Sequence, residues 1–207
     1  MIQYLIIGIT YAFTAVVQPG PFQVFLLSQT LSKGWRHTLP AAFGPLISDL
    51  PVILIVLLLL TNVPPHFINI LQIGGGLFLL YLAFSAYKTF KNFNSPKLPV
   101  PHSNRQTLFS AVMVNLLNPN PYLGWSLVLG PLLLKGWHQN PANGIVLLVS
   151  FYATLTIGMI ATIFIFAASG KFGSRLNRLL IGISVIALAC FGFYELWSGL
   201  SGLNYKA

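Results

Sequence analysis

Residues 11–35 read YAFTAVVQPGPFQVFLLSQTLSKGW, and residues 111–137 read AVMVNLLNPNPYLGWSLVLGPLLLKGW. Both stretches are apolar, both carry a Pro-x-Pro in their interior, and both end on Lys-Gly-Trp. A helix needs about 20 residues to cross the hydrocarbon of a bilayer, and both stretches are long enough. Proline inside a helix removes a backbone hydrogen bond and clashes with the preceding turn. Two prolines one residue apart therefore predict an interruption. In lipid the backbone groups so freed have to be buried in protein or line a wet cavity. These two stretches decide the reading: an all-α membrane protein whose first and fourth spans are broken at Pro-x-Pro.

The rest of the chain fits that class. Of 207 residues, 56% are hydrophobic and 6% charged, against about 25% charged in a soluble domain. Apolar runs such as residues 52–60 do not alternate, which excludes the strands of a membrane barrel. Six spans are expected, over residues 2–31, 39–61, 67–87, 106–134, 142–168 and 179–200, in one transmembrane domain covering 1–207. The net charge of +9 would suggest nucleic acid in a soluble protein. Here the basic residues occupy short gaps, with no basic patch beside an aromatic platform, so no nucleic-acid partner is expected. Their partners are anionic headgroups. Lys33, Arg36, Lys88, Lys91, Lys97, Arg105, Lys171, Arg175 and Arg178 fall in the odd-numbered loops, and only Lys135 and Lys206 fall on the other side. The positive-inside rule then puts the chain in a cytoplasmic (plasma or inner) membrane with both termini outside. The first apolar stretch lacks a basic flank and a small-residue cleavage site, so it reads as a retained span.

The two quoted stretches also suggest an internal repeat. After Lys-Gly-Trp come Pro40-Ala41 and Pro141-Ala142, each placed to open a helix. The third helices of each half start near Ile73-Gly74 and Ile181-Gly182. Repeat 1 covers about residues 1–90, a cytoplasmic linker about 91–105, and repeat 2 about 106–207. The linker is polar, holds Pro96, Pro99 and Pro101, and reads as flexible. Three helices per half make the second half enter from the other side, giving two inverted three-helix repeats. The alternative is chance recurrence of Lys, Gly and Trp at helix ends, where all three are common.

At each break a new half-helix can begin at Pro21 or Pro121, with its positive end inside the membrane and able to hold a carboxylate. Unwound carbonyls before the break can hold an ammonium group or a cation. Together they suit a zwitterion such as an amino acid. The candidate binding residues are Gln18, Pro19, Gly20, Pro21 and Gln23 at the first break, and Asn115, Asn118, Pro119, Asn120 and Pro121 at the second. Amides left uncompensated in hydrocarbon are costly. The plainer alternative is a pair of kinks needed for packing.

Asp49 lies well inside the second span and is a functional-site candidate by default. It would bind a substrate amine or carry a coupling proton. The alternative is a structural Asp bonded to Ser48 or to a carbonyl exposed by Pro51. The aligned position in the second half, Ser150, carries no acid. Glu195, near the outer end of the sixth span, is expected to reach the interface as a solvated or ion-paired group. His37, His66, His102 and His138 sit in loops or at helix ends and form no metal set, so neither metal nor cofactor is expected, nor a catalytic triad. Cys190, the only cysteine, excludes an intramolecular disulfide and reads as a packing residue. Gly74-Gly75-Gly76, expected to open the third helix, with Ala83 and Ala86 reads as close helix packing. Trp35, Trp137 and Trp197 read as interface anchors.

These residues resemble the LysE/RhtB superfamily of amino-acid exporters. Gln18-Pro19-Gly20-Pro21 followed by Lys33-Gly34-Trp35-Arg36 is similar to its first-helix signature, and Asn115-Leu116-Leu117-Asn118-Pro119 to its mid-chain motif. The glycine-rich third helix and an acid in the second, here Asp49, also fit, and the resemblance covers nearly the whole chain. It implies export of amino acids or related small metabolites driven by the proton-motive force. The chain departs from the family pattern at Phe22-Gln23, Ser48 and Asn120-Pro121, so the resemblance names no single substrate. Redox relatives carry paired cysteines beside these prolines, and none occurs here. The expected partners are a small-molecule substrate and the bilayer, and a homo-oligomer is compatible with the sequence. The alternatives are a divalent metal-ion or other small-solute transporter, which would want several intramembrane carboxylate, His or Cys ligands, a membrane-embedded lipid enzyme, and an accessory subunit.

Overall fold

The interruption around residue 19 divides the first apolar stretch in two. In the computed structural model, which describes residues 1–18, 20–58, 65–91, 104–169 and 174–204, α1 (Ile2–Val17) stops where Gln18 turns extended. α2 (Pro21–Lys33) starts again on Pro21, bent by 61° from α1. Gly34 ends α2 with φ +88°, a left-handed conformation that glycine adopts without steric cost. α3 (Trp35–Thr38), a 3₁₀ stretch (Leu39–Phe43) and α4 (Gly44–Leu58) follow. Pro51 lies inside α4 and denies the Ile47 carbonyl its usual helical donor. α5 (Pro65–Lys91) is long and unbroken.

The second quoted stretch is more divided. It comprises α6 (Asn104–Leu116), the short α7 (Pro119–Gly124), a π-helical turn (Trp125–Leu129) and α8 (Gly130–Gln139). The π turn has a local cause: the Gly130 N–H donates to the Trp125 carbonyl, five residues back. Pro131, which follows, has no N–H with which to restore the α ladder. α9 (Pro141–Ser169) and α10 (Ser174–Asn204) complete the chain.

Every regular element among the described residues is helical. Four helical stretches are long and apolar enough to cross a bilayer: Trp35–Val56, Phe67–Lys91, Pro141–Ser169 and Asn177–Leu203. The bent pair α1–α2 makes a fifth if taken as one span. The expected fourth span, residues 106–134, is shared among α6, α7, the π turn and α8, and no single helix in it has the length of a span. The proline-containing linker falls in residues 92–103, outside the described residues, as does Pro19.

α5 lies along α10, α1 along α9, and α6 against α4 and the 3₁₀ stretch. At the α5–α10 crossing a Cβ on Gly76 would sit 2.7 Å from the Gly192 carbonyl oxygen, and one on Gly192 would sit 3.0 Å from that of Gly76. The two backbones touch, which only small residues allow. Residues 74–76 thus lie inside α5 instead of opening it, because the helix already starts at Pro65. Ile157, Ile165, Ile186 and Phe193 point outward, forming an apolar outer surface suited to lipid. Trp35, Trp137 and Trp197 are exposed near helix ends, and the Arg36 guanidinium lies 5.2 Å over the Trp35 ring. Cys190 is exposed, which corrects its reading as a packing residue: it faces away from α10's neighbours.

Candidate functional site

Between the two interrupted stretches lies a cavity of about 220 Å³. Gln18, Gly20, Pro21, Gln23, Asp49, Asn115, Asn118, Asn120 and Pro121 all line it, together with Tyr11, Trp125 and Phe151. One water needs about 10–15 Å³ on this measure, so the space suits a small metabolite and falls below the usual range for drug-sized ligands. Pro119 is buried and does not line the cavity.

At the first interruption, α1 ends on a hydrogen bond from the Gln18 N–H to the Thr14 carbonyl (2.9 Å). The Ala15 carbonyl would next take its bond from residue 19, a proline with no N–H. Gln23, in the first turn of α2, reaches back and replaces that donor. Its Nε2 donates to the Ala15 carbonyl (3.0 Å) and the Val16 carbonyl (3.3 Å). Two of the carbonyls before the break are therefore occupied, and the Gln23 amide nitrogen ties the end of α1 to the start of α2. Gly20 precedes α2 in extended backbone and provides no side-chain cap. The N–H groups of Phe22 and Gln23, in the first turn, thus have no capping side chain among the described residues.

The second interruption is closed differently. α7 begins at Pro119, two residues before the expected start at Pro121. Asn118 is the reason. Its N–H donates to the Asn115 carbonyl (3.2 Å), and its Oδ1 accepts the Asn120 N–H (3.0 Å), a capping bond. Pro119 and Pro121, at the first and third helical positions, have no N–H to satisfy. Each donor of the entering turn is thus absent or bonded. Because the Asn120 N–H is used by the cap, the Leu116 carbonyl takes its bond from the Tyr122 hydroxyl (3.0 Å).

Asp49 stands beside this second interruption. Its Oδ1 accepts from Asn115 Nδ2 (2.8 Å), and its Oδ2 accepts from the Tyr152 hydroxyl (3.1 Å) and more weakly from Trp125 Nε1 (3.5 Å). All three donors are neutral. The same Asn115 Nδ2 donates to Ser48 Oγ (2.7 Å), whose hydroxyl turns to the Gly44 carbonyl (3.0 Å). Ser48 therefore reaches Asp49 only through Asn115. Aromatic rings enclose the carboxylate. Trp125 stacks on Tyr152 at 6.4 Å between centroids and meets Phe151 edge-on at 5.9 Å. Trp125 and Tyr152 turn their N–H and O–H edges to the carboxylate.

Several groups escape a reading of the sequence alone. Trp125 and Tyr152 are the principal ones, and the available signal was their position in mid-span, away from the ends where aromatic anchors sit. Glu195 corrects its expectation as a solvated group: it is 9% exposed. Away from the cavity, Gln29 Oε1, Thr30 Oγ1, Ser32 Oγ, Thr107 Oγ1 and Asn177 Oδ1 are buried without a hydrogen-bond partner among the described residues.

A family model described as LysE type translocator matches residues 13–196, a range that takes in both interruptions, Asp49 and Glu195. No curated protein and no solved structure matches the chain significantly.

Proposed function

The chain belongs to the LysE type translocator family, and from that premise we propose a secondary transporter that exports amino acids or related small metabolites across the cytoplasmic membrane in exchange for protons. The observation that carries this reading is one cavity with two unlike poles. One is the uncapped first turn of α2 beyond Gly20, which suits a carboxylate. The other is the Asp49 carboxylate within its aromatic surround, which suits an ammonium group. A free α-amino acid carries both charges.

Exchange follows from the chemistry of a single carboxylate. Asp49 cannot hold a substrate ammonium and a proton at once. On the proton-rich side, protonation removes the charge that held the ammonium, and the substrate leaves. On the other side the proton leaves and the next substrate takes its place. A proton-motive force that is acidic outside then drives substrate outward. In this reading the sequence folds as six spans in two inverted repeats, with α1–α2 and α6–α8 as the interrupted pair, and both termini lie outside.

The test is amino-acid flux in sealed vesicles under an imposed pH gradient. Wild-type protein carries at least one amino acid, and Asp49→Asn abolishes the dependence on the gradient. Unchanged gradient-driven flux in that variant would show that Asp49 does not carry the proton.

A further inference from the structure

The chain has 2 acidic side chains against 11 Lys and Arg, and the two acids, Asp49 and Glu195, are both buried. Burying a carboxylate is costly unless it is paired or protonated. Asp49 has its place in the site described above, and Glu195 has none yet.

Glu195 lies on α10, with Gln72 of α5 within hydrogen-bonding reach of its carboxyl. Its Oε2 has no partner among the described residues. The side chain borders a second, much smaller cavity of about 10 Å³, roughly the space one water requires. Pro21, Gly75, Leu117 and Asn118 are among its other walls. Pro21 and Asn118 also line the large cavity. The two carboxylates therefore border different cavities that share the first residue of α2 and the capping residue of α7.

The groups facing Glu195 restrict what it can bind. α5 presents Gln72, Gly75 and Phe78, α2 presents Pro21, and the α6–α7 segment presents Val114, Leu117 and Asn118. None of these is titratable. On α10 itself the nearest described basic side chain, Arg178, is about 25 Å away along the axis at 1.5 Å per residue. The space is too small for a hydrated cation or an amino acid, and one carboxyl with largely apolar walls is a poor metal site. A proton is the ligand that fits.

We infer that Glu195 is a second proton-binding site, separate from Asp49, on the other side of the Pro21–Asn118 pair. Its place in a transport cycle rests on the proton-exchange reading above, whereas its titration does not. A shift of α2 or α7 that opens or closes the large cavity also moves the walls of the small one. Proton occupancy at Glu195 is thereby linked to the state of the transport site.

One glutamate and one aspartate make a clean experiment possible without substitution. Cell-free protein with ¹³C-carboxyl glutamate reports Glu195 alone, and protein with labelled aspartate reports Asp49 alone. Infrared titration in lipid nanodiscs, with no substrate added, is expected to show a labelled-glutamate carboxyl band that appears and disappears with pH. That band should persist in Asp49→Asn, and Gln72→Leu should move its midpoint. A labelled-glutamate signal that stays in one form over the whole range in which the protein remains folded would overturn the inference. In vesicles, Glu195→Gln should lower the number of protons moved per substrate, and an unchanged ratio would remove Glu195 from the coupling. A titrating Glu195 in a protein that carries no amino acid would leave this site standing and defeat the transporter reading.

Discussion

At Gly20 the chain enters α2 with no capping side chain, whereas at Asn118 it enters α7 with every donor of the first turn bonded or replaced by proline. The carbonyl side differs as well. Gln23 closes the first break from the following helix through an amide, and Tyr122 closes the second through a hydroxyl. Two similar Pro-x-Pro motifs thus produce opposite electrostatic character. The first enters its helix with no side-chain cap from Gly20. The second satisfies its own backbone and places Asn115 so that it holds a carboxylate. Two similar sequence motifs can in this way line one cavity with two different ends.

The substitution with the largest expected effect removes one end altogether. Asp49→Asn keeps the side chain's shape and one of its two acceptor oxygens, enough for the Asn115 bond or for those from Tyr152 and Trp125, so helix content by circular dichroism should change little. Loss of a charged hydrogen-bonding group should lower substrate flux by roughly 10- to 100-fold. Gln23→Leu comes next. It frees the Ala15 and Val16 carbonyls and should lower unfolding stability in detergent by about 1–2 kcal/mol, on the scale of hydrogen bonds within membranes. Gly20→Asn tests the contrast itself by giving α2 the cap that α7 has. The backbone at Gly20 is extended, and a Cβ there would meet only Gln23 Oε1, at 3.5 Å, so the side chain fits. Stability should rise slightly, while competition assays should show about 3- to 10-fold weaker binding of carboxylate-bearing substrates. Tyr122→Phe has the smallest expected effect, about 0.6 kcal/mol of stability for one interhelical-scale hydrogen bond, with substrate preference unchanged.

The parts legible in the sequence are those with local causes. A proline lacks its N–H wherever it falls, so a first interruption ending at Pro21 could be read directly. An acid or an amide in an apolar run needs company, and the structure gathers Gln18, Asn115, Asn118 and Asn120 with Asp49 around one cavity. Choosing between Pro119 and Pro121 depended on whether Asn118 would cap, which is a matter of geometry as well as composition. The partners of Asp49 were out of reach because Trp125 and Tyr152 lie 76 and 103 residues away in the chain. Glu195 was misplaced for another reason. Its position along α10 suggested a helix end, but burial depends on rotation about the helix axis, and that is fixed by the Gly76–Gly192 contact with α5.

The central claim is that one cavity holds the two ends of an amino acid at two unlike breaks. Its most direct test is flux in sealed vesicles of a transported amino acid, its carboxamide and its deaminated acid, each with wild type, Gly20→Asn and Asp49→Asn. The account predicts that wild type prefers the intact amino acid over both analogues. Gly20→Asn should lose the preference over the carboxamide alone, and Asp49→Asn the preference over the deaminated acid alone. Equal transport of all three compounds by the wild-type protein would contradict it.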